Sequence, residues 1–125
     1  MKEVIATNDA PLAVGPYSQG IRAGRFAFTS GQLPATLSGE VISDDITKAT
    51  RQSLNNVKAV LSAAGVGMTD VVKVTVFLTD MADFAQMNEV YAGFFSEPFP
   101  ARSCIQVAAL PKGARVEIEA TACLQ

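Results

Sequence analysis

Val71-Val72-Lys73-Val74-Thr75-Val76-Phe77-Leu78-Thr79 is the most strand-like run in the chain. It is rich in β-branched residues, which fit a pleated, half-buried surface. Its period of two puts Val72, Val74, Val76 and Leu78 on an apolar face and Lys73, Thr75, Phe77 and Thr79 on a mixed one. Downstream, a helical repeat over about Asp83 to Phe95 turns Phe84, Met87, Asn88, Tyr91, Phe94 and Phe95 inward. Another alternating run begins at Arg102. Strand, helix and strand in this order predict a right-handed crossover and two parallel strands.

Working outward, Leu110-Pro111-Lys112-Gly113-Ala114 reads as a turn before a last strand with Val116, Ile118, Ala120 and Ala122 on one face and Glu117, Glu119 and Thr121 on the other. Upstream, Ser43, Asp44 or Asp45 caps a helix that reaches about Ala64 and stops at Gly65. Ile46, Ala49, Leu54, Val57, Val60, Leu61 and Ala64 form its buried stripe. Phe26 to Gln32 reads as a strand, with Phe26, Phe28, Ser30 and Gln32 on one face, after a hairpin turn at Arg22-Ala23-Gly24-Arg25. Val14-Gly15-Pro16-Tyr17-Ser18-Gln19-Gly20-Ile21 is backbone suited to close approach. With several strands and two helices, both helices can cover one face of a mixed sheet, which is an α+β two-layer fold. The uncovered face is expected to carry Phe77, Cys104 and Gln106, and sister subunits would cover it.

Composition narrows the function. The 125 residues make one domain, 1–125, with 49% hydrophobic and 18% charged residues. A net charge of -2 gives no pull on nucleic acid or anionic lipid. The start of the chain lacks a signal-like apolar stretch and no run is long enough to span a membrane, so a cytoplasmic protein is expected. Cys104 and Cys123 make no disulfide framework. Histidine is absent, which excludes Ser-His-Asp and Cys-His nucleophile pairs and the usual histidine-bearing zinc sites. Any chemistry is expected to need neither metal nor cofactor.

The candidate chemical groups are Arg102 and Glu119. A planar guanidinium matches a carboxylate bidentately, which a lysine cannot do. A glutamate between Ile118 and Ala120 is expected to be desolvated and so a better proton acceptor. The two are expected to meet in one crevice around a small carboxylate-bearing substrate; a salt bridge that stitches subunits together fits the residues as well. Glu117 reads as a solvent or interface contact, and Cys104, on the Arg102 face, as a pocket wall. The Phe84-Met87-Tyr91-Phe94 stripe reads as core.

Five segments in order, Gly15-Pro16-Tyr17-Ser18-Gln19, Thr29-Ser30-Gly31-Gln32, Met87-Asn88-Glu89-Val90-Tyr91, Pro100-Ala101-Arg102 and Val116-Glu117-Ile118-Glu119-Ala120, resemble the RidA (YjgF) family of reactive-intermediate deaminases. The resemblance spans nearly the whole chain. It implies a chorismate-mutase-like homotrimer with sites between subunits. The implied activity is hydrolysis of 2-imino acids such as 2-iminobutanoate and 2-iminopropanoate to 2-keto acids and ammonia. It implies that Arg102 grips the substrate carboxylate and Glu119 handles water, with Tyr17, Ser30, Gly31, Asn88 and Cys104 lining the site. An imine carbon is already electrophilic, so orientation plus one positioned base, worth roughly 10²–10⁴-fold, suffices. The alternatives are a non-catalytic trimer that binds a small acid or a regulatory partner, and an endoribonuclease or translation inhibitor. The acidic balance and missing histidine count against the last.

Overall fold

β4 (Val71–Leu78) lies inside the sheet, paired in parallel with β5 (Ala101–Gln106) on one side and antiparallel with β6 (Val116–Cys123) on the other. The structure is a computed structural model describing residues 1–125. Beyond β6 come β3 (Phe26–Thr29), β2 (Gly20–Ala23) and β1 (Lys2–Ile5), giving six strands in the order β1-β2-β3-β6-β4-β5. α1 (Ile46–Ala63) packs on β6 and β3, and α2 (Phe84–Ala92) packs beside α1. The result is the expected α+β architecture, with the parallel pair joined through α2. No helix is long and apolar enough to cross a membrane.

The core sits between the helices and one sheet face. Val74, Val76 and Leu78 of β4 lie beside Ala120, Ile118 and Val116 of β6 and pack with Leu54, Val57, Val60 and Leu61 of α1. Each fully buried aliphatic side chain contributes about 1.5–3 kcal/mol relative to exposure. α1 begins where the Asp45 carboxylate accepts from the Lys48 N–H at 3.1 Å, and the chain turns away at Gly65, whose φ of 80° suits a residue without Cβ. α1 also buries Thr50, Ser53 and Asn56, which the apolar stripe did not include. Of these, Asn56 anchors the loop after β3 to the helix, its Nδ2 donating to the carbonyls of Leu33 and Ala35.

Two irregularities overturn face assignments made from strict alternation. β4 contributes one extra residue between its pairings Val71–Ala122 and Lys73–Thr121, so Val71 is buried while Val72, expected in the apolar face, is exposed. The strand after β3 does the same: Phe28 opposes Thr121, whereas Gln32 opposes Ile118, four steps against three. The Thr29 hydroxyl accepts the Ala120 N–H in that interval. Gln32 is therefore buried on the core side instead of sharing the face of Phe28. α2 is also shorter than expected, preceded by a tight turn at Met81–Asp83 that Asp80 caps. Asp83 pairs with Arg115 at 2.8 Å and ties the start of α2 to the approach to β6.

The segment before β2 is held by one buried amide. Gln19 Nε2 donates to the carbonyls of Thr7, Ala10 and Pro11, and its Oε1 accepts from the Thr7 N–H. Gly20 then passes so near α1 that a Cβ would lie 2.8 Å from Val60 Cγ1 and 2.9 Å from the Phe28 carbonyl oxygen. Gly20→Ala is accordingly expected to destabilise the fold by about 1–3 kcal/mol through overpacking. A denaturant midpoint equal to that of the unmodified chain would refute the close approach.

Candidate active site

β5 is an edge strand, and Arg102 stands on it in register with Val74, a core-facing residue of β4. Its side chain therefore rises on the helix side and reaches α2. One guanidinium nitrogen donates to Asn88 Oδ1 at 2.7 Å. The guanidinium carbon lies 4.6 Å from the centroid of the Tyr91 ring and 5.5 Å from that of Phe84. Phe84, Asn88 and Tyr91 follow one another at i, i+4 and i+7, so a single stripe of α2 supplies the whole cradle. Arg102 opens into a cavity of about 360 Å³ lined by Asn88, Tyr91, Ala92, Phe99, Pro100 and Arg102 itself. Phe99 is 59% exposed at its mouth.

Cys104 lies next along the same face, half-buried and packed against the core. Burial pushes its thiol pKa up, opposed by the positive charge of Arg102. A raised thiol pKa leaves little thiolate at neutral pH, which fits a wall better than a nucleophile. Tyr91 follows the same pattern: burial raises its phenol pKa and Arg102 works against the rise. Gln106 continues this side of β5, where its Oε1 accepts the Met81 N–H. Cys104 and Gln106 thus share the core-facing side with Val76 and Leu78, contrary to the expectation that they lie with Phe77 on the uncovered face.

The glutamates occupy the opposite side of the sheet. Glu119 is in register with Thr75 and Glu117 with Phe77, both on the uncovered face of β4. Glu119 borders a small polar cavity of about 90 Å³ with Phe28, Thr29, Lys73, Thr75, Ala120 and Thr121. Lys73 Nζ donates to Ser103 Oγ on the same face. Glu117 is packed against Gly31: its carboxylate fills the space that a side chain at Gly31 would need. Burial, and then the charge of Glu119, raise the Glu117 carboxyl above the ordinary 4.5. Ser30 flanks this spot, its N–H bonded to the Gln19 carbonyl and its hydroxyl to the Ser18 carbonyl. Tyr17 stands nearby in sequence, 53% exposed, with its hydroxyl accepting the Val14 N–H.

Within one chain, then, Arg102 and Glu119 do not share a crevice. They face separate cavities on opposite sides of the sheet because Arg102 aligns with an even position of β4, Val74, and Glu119 with an odd one, Thr75. Alternation within each strand was legible; the relative register of two strands that never touch was not. Asn88, Arg102 and Cys104 are gathered on one side, and Ser30, Gly31 and Glu119 on the other. Phe84 and Tyr91, read as core, do pack with the core and in addition turn their rings toward the Arg102 guanidinium, and Glu117, read as a solvent or interface contact, lies against Gly31. The spacing of Phe84, Asn88 and Tyr91 held the signal for the first two. No group of three His, Cys, Asp or Glu side chains is placed to hold a metal ion.

Comparison with known proteins supplies the kinship. The family model described as Endoribonuclease L-PSP matches residues 7–124. A RutC family protein of Pyrococcus horikoshii is 55% identical over 123 residues, covering 98% of each chain. The 2-iminobutanoate/2-iminopropanoate deaminase of Salmonella typhimurium is 49% identical over 125 residues, again covering 98% of each. Among solved structures, Escherichia coli TdcF with bound serine superposes with a TM-score of 0.93 at 49% identity, over 98% of this chain and 99% of that one. With the fold, the segment order and these likenesses in agreement, the chain belongs to the Endoribonuclease L-PSP family, the family of RidA and YjgF.

Proposed function

We propose that the chain hydrolyses reactive 2-imino acids, such as 2-iminobutanoate and 2-iminopropanoate, to 2-keto acids and ammonia, in sites that each take Arg102 from one copy and a glutamate from the next. The observation that carries this reading is Arg102 fixed by Asn88 and two aromatic rings at the edge of a cavity, with its other N–H groups left for a carboxylate. The relative from Salmonella is named for this reaction, and serine, bound by TdcF, carries the same carboxylate beside a nitrogen-bearing carbon. A homotrimer supplies the second copy. Support for it comes from the uncovered sheet face, where Phe26 and Phe28 remain 44% and 42% exposed beside the glutamates.

In this reading Glu117, more than Glu119, is the carboxylate that handles water. It is the one beside Gly31 and Ser30, and its raised proton affinity suits a base. Arg102 holds the substrate carboxylate, and Cys104 and Phe99 limit where the imine can lie. Water loses a proton to Glu117 as its oxygen bonds to the imine carbon, and the C=N electron pair moves to nitrogen. Glu117 returns the proton to that nitrogen, giving a carbinolamine; it then takes the hydroxyl proton and passes it to the amino nitrogen, so that the C–N bond breaks as the C=O bond forms and ammonia leaves. RNA cleavage, the activity in the family description, finds no basic stripe here on a chain of net charge -2 without histidine.

The assay supplies 2-iminobutanoate from threonine through a dehydratase, with semicarbazide competing for the imine. Arg102→Ala is expected to fall to the uncatalysed level. Glu117→Gln should lose roughly 10²–10⁴-fold, and Glu119→Gln much less; the reverse order of the two glutamates would return the role to Glu119. If each site spans two copies of a cyclic assembly, Arg102→Ala and Glu117→Gln chains refolded together should regain about one quarter of full activity, since a site is whole only when an intact Arg102 meets an intact Glu117. No recovery on mixing would place both groups on the same chain's site.

Acidity gives a separate check. A base must be deprotonated to act, so activity should rise with pH through a limb set by Glu117 and lying above 4.5. Glu119→Gln removes the neighbouring negative charge that helps raise this carboxyl, so the limb should move to lower pH. An unmoved limb in the pH profile of that variant would show that a different group titrates.

A further inference from the structure

We infer that Tyr91 is a positioning residue for Arg102, and that its ring face, not its hydroxyl, sets the plane in which the guanidinium meets a carboxylate. The inference rests on the deaminase reading for its substrate, while its structural basis is independent of it. An arginine side chain is long and loses much rotamer freedom when fixed. The bond from one nitrogen to Asn88 Oδ1 leaves the guanidinium free to swing about that contact. A ring face 4.6 Å from the guanidinium carbon removes this freedom, because a planar cation lies against the negative face of an aromatic ring. Phe84 offers a second, more distant ring at 5.5 Å.

Tyr91 itself cannot move away. It is 6% exposed, belongs to the core, and packs against Phe95 with ring centroids 4.6 Å apart and planes tilted by 37°. Its hydroxyl is buried and finds no hydrogen-bond partner within the chain, so it does not tether Arg102. Burial also keeps the phenol neutral through ordinary assay conditions, leaving the ring as the functional part. Since Tyr91 borders the same cavity as Arg102, the supported guanidinium keeps its remaining N–H groups on the cavity side.

The test compares Tyr91→Phe, Tyr91→Leu and Tyr91→Met by imine hydrolysis and by calorimetric titration with 2-oxobutanoate, a stable carboxylate probe. Tyr91→Phe keeps the ring and should stay within about twofold of wild type in KM, kcat and Kd. Tyr91→Leu and Tyr91→Met lose the ring face and should raise KM and Kd about tenfold, equivalent to ~1.4 kcal/mol, while kcat changes far less. The methionine variant, whose flexible side chain adapts to the gap the ring leaves, carries the comparison if the leucine variant fails to fold. Wild-type KM and Kd in the ring-less variants would overturn the inference, as would a Tyr91→Phe defect as deep as theirs. Should wild type leave imine untouched, the deaminase reading fails, and the titration alone still decides whether Tyr91 supports carboxylate binding.

Discussion

The sheet is a wall that a side chain cannot cross, and the register along β4 decides which group stands on which side of it. Arg102 aligns with Val74 and Glu119 with Thr75, so a one-residue difference in parity separates the charges. β5 and β6 flank the same strand and lie only ~10 Å apart. Had the parities agreed, a long arginine could have reached the glutamates of its own chain and neutralised them. Instead the guanidinium stays free of carboxylate partners and is steadied by neutral groups, an amide and two rings.

That separation explains the unequal faces of the sheet. The interior of the helix side is mostly aliphatic, with Leu54, Leu61, Leu78 and Ile118 fully buried. The other side mixes Phe26, Phe28 and Ile105 with Lys73, Glu117 and Glu119, too apolar to be ordinary surface and too polar to be core. A second copy laid against such a face would bury aromatic area and still leave polar cavities between the chains. The small cavity beside Glu119 is one that a single chain already outlines.

Much of this was legible before any coordinates. Apolar periodicity located both helices, the parallel strand pair and the last strand, because each has enough residues for its period to stand out. What failed were the faces next to irregular pairings. One extra residue near Val72 and another between Phe28 and Gln32 inverted the alternation. No glycine or proline marks the first, and Gly31 in the second interval reads equally well as an ordinary strand end. The candidate site was legible in its residue types and much less in its grouping. Phe84 and Tyr91 read as core because they are partly core: a ring can bury its edge among aliphatics and still turn a face to a cation. Glu117 and Glu119 cannot be told apart by alternation, since they share a face; Gly31, brought alongside by pairing across the length of the chain, is what distinguishes them.

The proposed reaction also makes sense of how differently the two charged groups are treated. Arginine keeps its proton at any working pH, so it can be enclosed by aromatic rings and remain a cation. A glutamate beside that cation would ordinarily become a weaker base, because an adjacent positive charge lowers its pKa. In a site completed by a second copy, the substrate carboxylate lies between the two and cancels much of the guanidinium's charge. The enclosure of Glu117, and the second carboxylate two residues on, then act unopposed and keep its proton affinity high. Under the proposed reaction, binding the acid and arming the base would be one event, tying water activation to the presence of substrate.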